Sequence, residues 1–130
     1  MLIMTGLNIQ APWSTLLING HKTVETRTYH LPLKYIGVPL ALIETPGKSG
    51  RFKSRIIGLI TFNESFRYKD KNEWINDHYR HLVNDGDINY GWKYYKDKYG
   101  WVVHSVEKFD SPIDPPKKRG IVFCINCKVY

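Results

Sequence analysis

Cysteine and long apolar runs are the scarcest features of this 130-residue chain. Its two cysteines, Cys124 and Cys127, are three residues apart in a strand-like segment, so their side chains are expected on opposite faces. No second ligand pair accompanies them, which argues against a zinc site, and two free thiols suit a reducing compartment. No apolar run approaches the roughly 20 residues needed to cross a bilayer, and the first residues lack a signal-peptide pattern. We therefore expect a soluble, cytoplasmic protein with no metal, no cofactor and no membrane partner.

Positive charge and aromatic rings are what the chain has in excess. Nineteen Lys and Arg against twelve Asp and Glu give a net charge of +7, and there are nine Tyr, five Phe and four Trp. Cationic side chains neutralise phosphates, and rings can stack on bases. The length suits one domain with one core. The totals predict a single domain over residues 1–130, favoured as a monomer, and they favour a polyanionic partner.

Hydrophobic patterning predicts a mainly β protein with inserted helices. A short helix is expected from Pro12 to Asn19, where Gly20 would stop it, and a longer one over 69–83. The strands are expected at 7–9, 22–29, 39–44, 55–62, 101–107 and 120–129. No repeat or long linker divides the chain. The pattern predicts an α+β barrel of five or six strands.

The segment from Gln10 to Arg27 carries a recognisable motif. It runs Gln-Ala-Pro-Trp into the short helix, then Gly20, then Lys-Thr-Val-Glu-Thr-Arg from Lys22. This pattern resembles the ASCH (activating signal cointegrator homology) domain family of the PUA-like superfamily. The resemblance implies a PUA-like mixed β-barrel of five to six strands with two or more inserted helices. It also implies that Lys22, Glu25 and Arg27 lie in the barrel cleft.

The predicted binding residues are Trp13, Lys22, Thr23, Glu25 and Arg27. If residues 22–29 form one strand, strict alternation separates Lys22 from Glu25. A bulge, or a position of Lys22 in the turn before the strand, would bring them together. Glu25 with Arg27 otherwise reads as a surface ion pair, and Trp13 as a core residue.

Basic and aromatic segments elsewhere have two readings each. Lys48, Arg51, Lys53 and Arg55 lie in a loop that either contacts a nucleic-acid backbone or is simply solvated. The segment 90–99 interleaves rings with lysines, which suits either an RNA-facing surface or rings that cover the barrel end. His78 and His81 are predicted to be a surface pair on the second helix.

Two classes of function follow from the resemblance, with a protein-interaction adaptor as a weaker third. The first is RNA or nucleotide binding in the Lys/Glu/Arg cleft. The alternative is a hydrolase acting on a modified nucleoside, similar to acyl-cytidine amidohydrolases, or a ribonuclease, with Lys22 and Glu25 catalytic. The amidase resemblance implies a Thr where this chain has Glu25, and an acid from the second helix, such as Glu73 or Asp77. Because a nearby carboxylate stabilises an ammonium group, Glu25 argues against Lys22 as a base.

Overall fold

A six-stranded mixed sheet forms the body of the computed structural model, which describes residues 2–47 and 50–129. The strands are Leu2–Gln10 (β1), Val24–Arg27 (β2), Leu40–Thr45 (β3), Arg55–Arg67 (β4), Tyr99–Ile113 (β5) and Phe123–Val129 (β6). Their order is β2-β5-β4-β3-β1-β6, with β1 and β3 parallel and the other pairs antiparallel. The predicted α+β class and strand number are confirmed. Within the described residues β2 and β6 are the two edges of the sheet, so its hydrogen-bond ladder stays open between them.

Three short helices and one 3₁₀ turn, Leu33–Tyr35, connect these strands. The helices are Trp13–Ile18 (α1), Lys71–Asn76 (α2) and His78–His81 (α3). Helix α1 matches the prediction and ends before Gly20, whose positive φ of 81° suits glycine. The single helix expected over 69–83 is instead two. In the described part of the chain, none of the helices has the length and apolarity to cross a bilayer.

Both faces of β3 are covered, which explains its continuous apolar sequence. Leu40 and Leu42 belong to a core cluster that includes Leu17 of α1, while Ala41 and Ile43 belong to a second cluster behind them. The first cluster also contains Leu7, Ile60, Phe62 and Trp101. Helix α1 is therefore held firmly on the sheet, next to the start of β2.

The two cysteines share one side of β6, so the prediction of opposite faces was wrong. Their sulfur atoms lie 3.5 Å apart, and both residues are buried. Asn126 between them has a φ of 61°, and the register of β6 against β1 shifts between Met4 and Gly6. This bulge adds a residue to one strand and so breaks the alternation on which the prediction relied.

Candidate functional site

A cavity of about 490 Å³ lies beside β2. Its wall is built from stretches that are far apart in sequence: the end of β1 with Trp13, residues 22–29, the segment from 83 to 98, and residues 119–121. Four of the five predicted binding residues line it, namely Trp13, Lys22, Glu25 and Arg27. The structure therefore gathers the charged residues of the motif around one space.

Lys22 meets Glu25 because it precedes β2 and does not belong to it. The strand begins at Val24, so the alternation of side chains does not apply to Lys22. Its Nζ atom lies 3.8 Å from Oε1 of Glu25 and donates a hydrogen bond to the backbone oxygen of His81. With 1% of its surface exposed, Lys22 is one of the most deeply buried side chains of the protein.

Glu25 and Arg27 form a sheltered ion pair, in contrast to the surface pair that spacing alone suggested. Nε of Arg27 donates to Oε2 of Glu25 at 3.1 Å, and Nη2 of Arg27 donates to the carbonyl oxygen of Asn8 at 3.2 Å. The guanidinium also lies over the ring of Trp101, 5.3 Å from its centroid. These contacts fix one oxygen of Glu25 and orient Arg27 along the cavity wall.

Burial and the neighbouring charges together set the pKa values of Lys22 and Arg27. Burial lowers the pKa of the Lys22 ammonium, Glu25 acts in the opposite direction, and Arg27 lowers it further, so the net shift is downward. Burial also tends to lower the pKa of Arg27, but Glu25 and Tyr29 outweigh it and the net shift is upward. Arg27 is thus a permanent cation, while the charge of Lys22 depends on its surroundings.

Two aromatic rings meet across the cavity. Trp13 is half-buried, with Nζ of Lys22 4.9 Å from its ring centroid. The ring of Tyr90 meets Trp13 edge to face at 5.7 Å, and its hydroxyl donates to Oε1 of Gln10 at 2.7 Å. Trp13 therefore packs partly in the core and partly lines the wall, and its role in binding a ligand stays a prediction.

Several lining residues were not identified as site residues from the sequence, among them Asn8, Tyr90, Lys93, Lys98 and Arg119. Lys98 is buried and donates to the carbonyl oxygens of Tyr90 and Gly91 at 2.5 and 2.8 Å. Burial, aided by Lys93, lowers its pKa to about 8. The alternation of rings and lysines in 90–99 was the available signal. In the structure Tyr90 and the lysines Lys93, Lys96 and Lys98 line the cavity, and contact of this segment with RNA stays a prediction.

Thr23, Arg51, Lys53 and Arg55 lie outside the cavity lining. Thr23 has an exposed side chain. Arg51 and Lys53 are exposed, and Arg55 donates to Oε1 of Glu44 through Nε and Nη2 at 3.1 and 2.9 Å. Lys48 lies outside the described residues. A contact between this loop and a nucleic-acid backbone stays a prediction.

The second helical region does not supply an acid to the cavity. Glu73 is exposed, and Asp77 accepts hydrogen bonds from Tyr68 at 2.5 Å and Arg80 at 2.6 Å. His81 is fully buried and stacks on Trp74 with the ring centroids 4.8 Å apart, so its predicted surface location was wrong. His81 lies seven residues after the buried Trp74, and this spacing of about two helical turns, which places both residues on one face, was the available signal for its burial.

The open six-stranded sheet, with α1 packed on it and the motif beside β2, is the fold of an ASCH domain. The chain is similar to the crystal structure of ASCH from Zymomonas mobilis, with a TM-score of 0.66 and 14% identity, covering 85% of this chain and 72% of that one. A Tyr-to-Phe mutant and a Ser-to-Ala mutant of that protein are also similar, each with a TM-score of 0.65 and 14% identity, covering 85% of this chain and 74% and 72% of theirs. No protein-family model and no curated protein matches the sequence. At this identity the likeness establishes the fold.

Proposed function

We propose that residues 1–130 form a single ASCH domain that binds RNA or a nucleotide in the cavity beside β2. The observation that carries the proposal is the convergence of Lys22, Glu25 and Arg27 with the ring of Trp13 around one space of about 490 Å³. Pockets for small ligands fall in this size range. Cationic side chains bind phosphate, a carboxylate accepts hydrogen bonds from the edge of a base, and an aromatic ring stacks on the face of a base.

Each group in the cavity has a role in such binding. Arg27 holds Oε2 of Glu25, while Oε1, 3.8 Å from Nζ of Lys22, keeps a lone pair to accept a hydrogen bond from an amino group of a base. The rings of Trp13 and Tyr90 offer apolar surface to the base itself. Lys93 and Arg119 are suited to phosphate oxygens.

Titration of tryptophan fluorescence with short single-stranded RNAs and with mononucleotides at low salt tests this function. Quenching is expected because Trp13 lines the cavity. The logarithm of the RNA binding constant should fall linearly with the logarithm of the salt concentration, with a slope of about −0.7 for each phosphate contact. Arg27→Gln should weaken binding about tenfold or more, since it removes a charged donor from the wall.

Lys108→Gln is the matched control, because Lys108 is exposed on β5 and does not line the cavity. The proposal is wrong if neither RNA nor mononucleotides bind at low salt. It is equally wrong if Arg27→Gln binds as tightly as Lys108→Gln.

Hydrolysis of a modified nucleoside is the second candidate, and one observation favours it. The lowered pKa of Lys22 brings its amine closer to the neutral form that a general base needs. Glu25 opposes this shift, and neither Glu73 nor Asp77 lines the cavity. Assays of acyl-cytidine hydrolysis and of RNA cleavage by wild type and Lys22→Ala separate the two functions. Activity that is present in the wild type and lost in Lys22→Ala would favour the hydrolase. A wild-type protein that binds RNA but has no activity in either assay would exclude the hydrolase.

A further inference from the structure

The cavity lining carries far more positive than negative charge. Six lining side chains are cationic, against two carboxylates, Glu25 and Asp97. Both carboxylates already have an arginine partner: Arg27 lies 3.0 Å from Glu25, and Arg67 lies 3.6 Å from Asp97. The six cations are Lys22, Arg27, Lys93, Lys96, Lys98 and Arg119.

Within the part of the chain that the structure describes, four of these cations have no carboxylate partner. Among the described residues, no Asp or Glu oxygen lies within 4.0 Å of Lys93, Lys96, Lys98 or Arg119. Nζ of Lys93 donates to the carbonyl oxygen of Ile88 at 2.6 Å, and Lys98 bonds to two backbone carbonyls. Carbonyl dipoles satisfy the N–H groups but do not cancel the charge.

Two of the cations are buried close enough to influence each other. Lys22 and Lys98 are 1% and 7% exposed. Burial and the neighbouring charges of Lys93 and Lys22 all lower the pKa of Lys98, and only Asp87 acts in the opposite direction. Uncompensated charge in a sheltered site is unfavourable until an anion arrives.

We propose that the cavity takes the dianionic phosphate of a phosphomonoester nucleotide, either a free mononucleotide or the terminal nucleotide of an RNA strand. This inference rests on the proposed function and narrows its ligand. A phosphomonoester carries about −1.5 to −2 charges at pH 7 because its second ionisation lies near pH 6. A phosphodiester within a strand carries one charge, and a nucleoside carries none. The positive charge of the unpartnered cations is best matched by the phosphomonoester, which carries the most negative charge of the three.

Binding of such an anion must also change the protonation state of Lys98. The charged groups that face Lys98 are Lys93, Asp87 and Lys22, and the ring of Trp74 covers its Nζ at 5.0 Å. A phosphate brought next to Lys98 raises its pKa from about 8, so the complex holds more protons than the free protein near pH 8. A neutral ligand has no such effect.

Calorimetry with the full chain at pH 8, in two buffers of different ionisation enthalpy, measures affinity and proton uptake together. The probes are the four nucleosides, their 5′-monophosphates, the methyl esters of those monophosphates, and inorganic phosphate. The best monophosphate should bind about tenfold or more tightly than its nucleoside and its methyl ester, since one further charged contact is worth that factor. Binding of the monophosphates and of inorganic phosphate should be accompanied by the largest proton uptake, binding of the singly charged methyl esters by less, and binding of the nucleosides by none.

Variants locate the effect. Arg119→Gln and Lys93→Gln, both at half-buried positions, should reduce the preference for the monophosphate, while Lys108→Gln should keep it. Lys98→Met should abolish proton uptake. If Lys98→Met does not fold, the other two variants and the wild-type proton uptake decide the question.

The outcomes separate the inference from the function on which it rests. Equal affinity for nucleoside, methyl ester and monophosphate overturns the inference and keeps nucleotide binding. Inorganic phosphate binding as tightly as every nucleotide keeps the anion site and overturns nucleotide binding. No binding by any of these probes overturns the inference, and the titration with RNA then decides the function on which it rests. If a 5′-phosphorylated dinucleotide binds more tightly than the mononucleotide, the ligand is the end of an RNA strand. If the mononucleotide binds more tightly, the ligand is a free nucleotide.

Discussion

Glu44 shows how a single buried residue positions the cavity from outside it. It lies on β3 and accepts hydrogen bonds from Ser14 at 2.6 Å, Thr15 at 3.0 Å and Arg55 at 2.9 Å. Two of these donors belong to α1, the helix that carries Trp13. Burial alone would raise the pKa of Glu44, but the hydrogen bonds from Ser14, Arg55 and Thr15 outweigh it and the net shift is downward.

Replacing Glu44 by Gln should lower the free energy of unfolding by about 1–3 kcal/mol at pH 7, because charged hydrogen bonds are lost. The folded pKa lies below the unfolded value of 4.5, so this contribution is present above pH 4.5 and is lost as the pH falls through the folded pKa. Urea unfolding at pH 7 and at pH 3 measures both effects. The difference from wild type should shrink at pH 3, and an unchanged difference would contradict the argument. Glu107→Gln, an exposed position on β5, is the control.

The residues of the motif could be predicted from sequence, whereas their partners could not. Lys22, Glu25 and Arg27 are close in the chain, and local pattern was enough to select them. Lys98 and Arg119 reach the cavity only through strand pairing and loop packing, neither of which leaves a local signal. Their chemistry was visible in a general excess of positive charge, but their location was not.

At the scale of elements, the junction of α2 and α3 links the cavity to the core. The side chain of Asp77 binds Tyr68 and Arg80, and Leu82 ends α3 with a φ of 63°. His81 accepts at Nδ1 from the N–H of Val83 at 3.0 Å and donates from Nε2 to the carbonyl of Trp74 at 2.7 Å. Since Nδ1 accepts a hydrogen bond, the imidazole is neutral with its proton on Nε2.

Acid should loosen this junction before it affects Glu44. Burial lowers the pKa of His81 from 6.5 to about 4. The unfolded chain therefore takes up a proton at a higher pH than the folded chain, and stability falls as the pH drops from 6.5 towards 4. The free energy of unfolding, measured from pH 7.5 to pH 4, should decline less steeply for His81→Gln than for wild type. His104→Gln, at an exposed position, should follow the wild-type slope, and equal slopes for all three would refute the role of His81.

Element boundaries followed tertiary contacts more than local pattern. β4 and β5 extend well past their predicted ends because each supplies the other with backbone partners, up to Arg67 opposite Tyr99. The helix expected over 69–83 had a suitable apolar stripe, yet it is divided at Asp77, which ends α2 and precedes α3 and whose side chain bonds to Tyr68 and Arg80. Local periodicity identified both regions but could not include these contacts.

At the scale of the whole molecule, the cysteine pair reports on the integrity of the sheet. Cys124 and Cys127 lie within the second core cluster, against β1, and a Cβ atom at Gly6 would approach the sulfur of Cys127 to 2.7 Å. Burial and the neighbouring Cys124 raise the pKa of Cys127 to about 12. Neither thiol can react without separation of β6 from β1.

Both thiols should therefore resist a disulfide reagent in native conditions and react in urea at a rate that follows global unfolding. A Lys108→Cys variant gives the rate for an exposed thiol in the same protein. Rapid labelling of Cys124 or Cys127 without denaturant would show that β6 opens independently of the core.

The fold class was predictable because composition, patterning and one motif agreed. The strand order was not, since β2-β5-β4-β3-β1-β6 depends on pairings between distant segments. The net charge of +7 could be counted from the sequence, whereas the arrangement of the chain determined where that charge accumulates.

The cavity wall combines early and late parts of the chain, and this has a consequence for folding. Leu2 pairs with Val129, Val24 pairs with Val102, and Asn8 donates to the carbonyl oxygen of Arg119 at 3.1 Å. Sheets dominated by such long-range pairings have high contact order and fold slowly, on the scale of milliseconds to seconds. A nascent chain that has emerged only as far as β4 already contains the whole motif but lacks the later segments that line the cavity, so the cavity exists only in the finished fold.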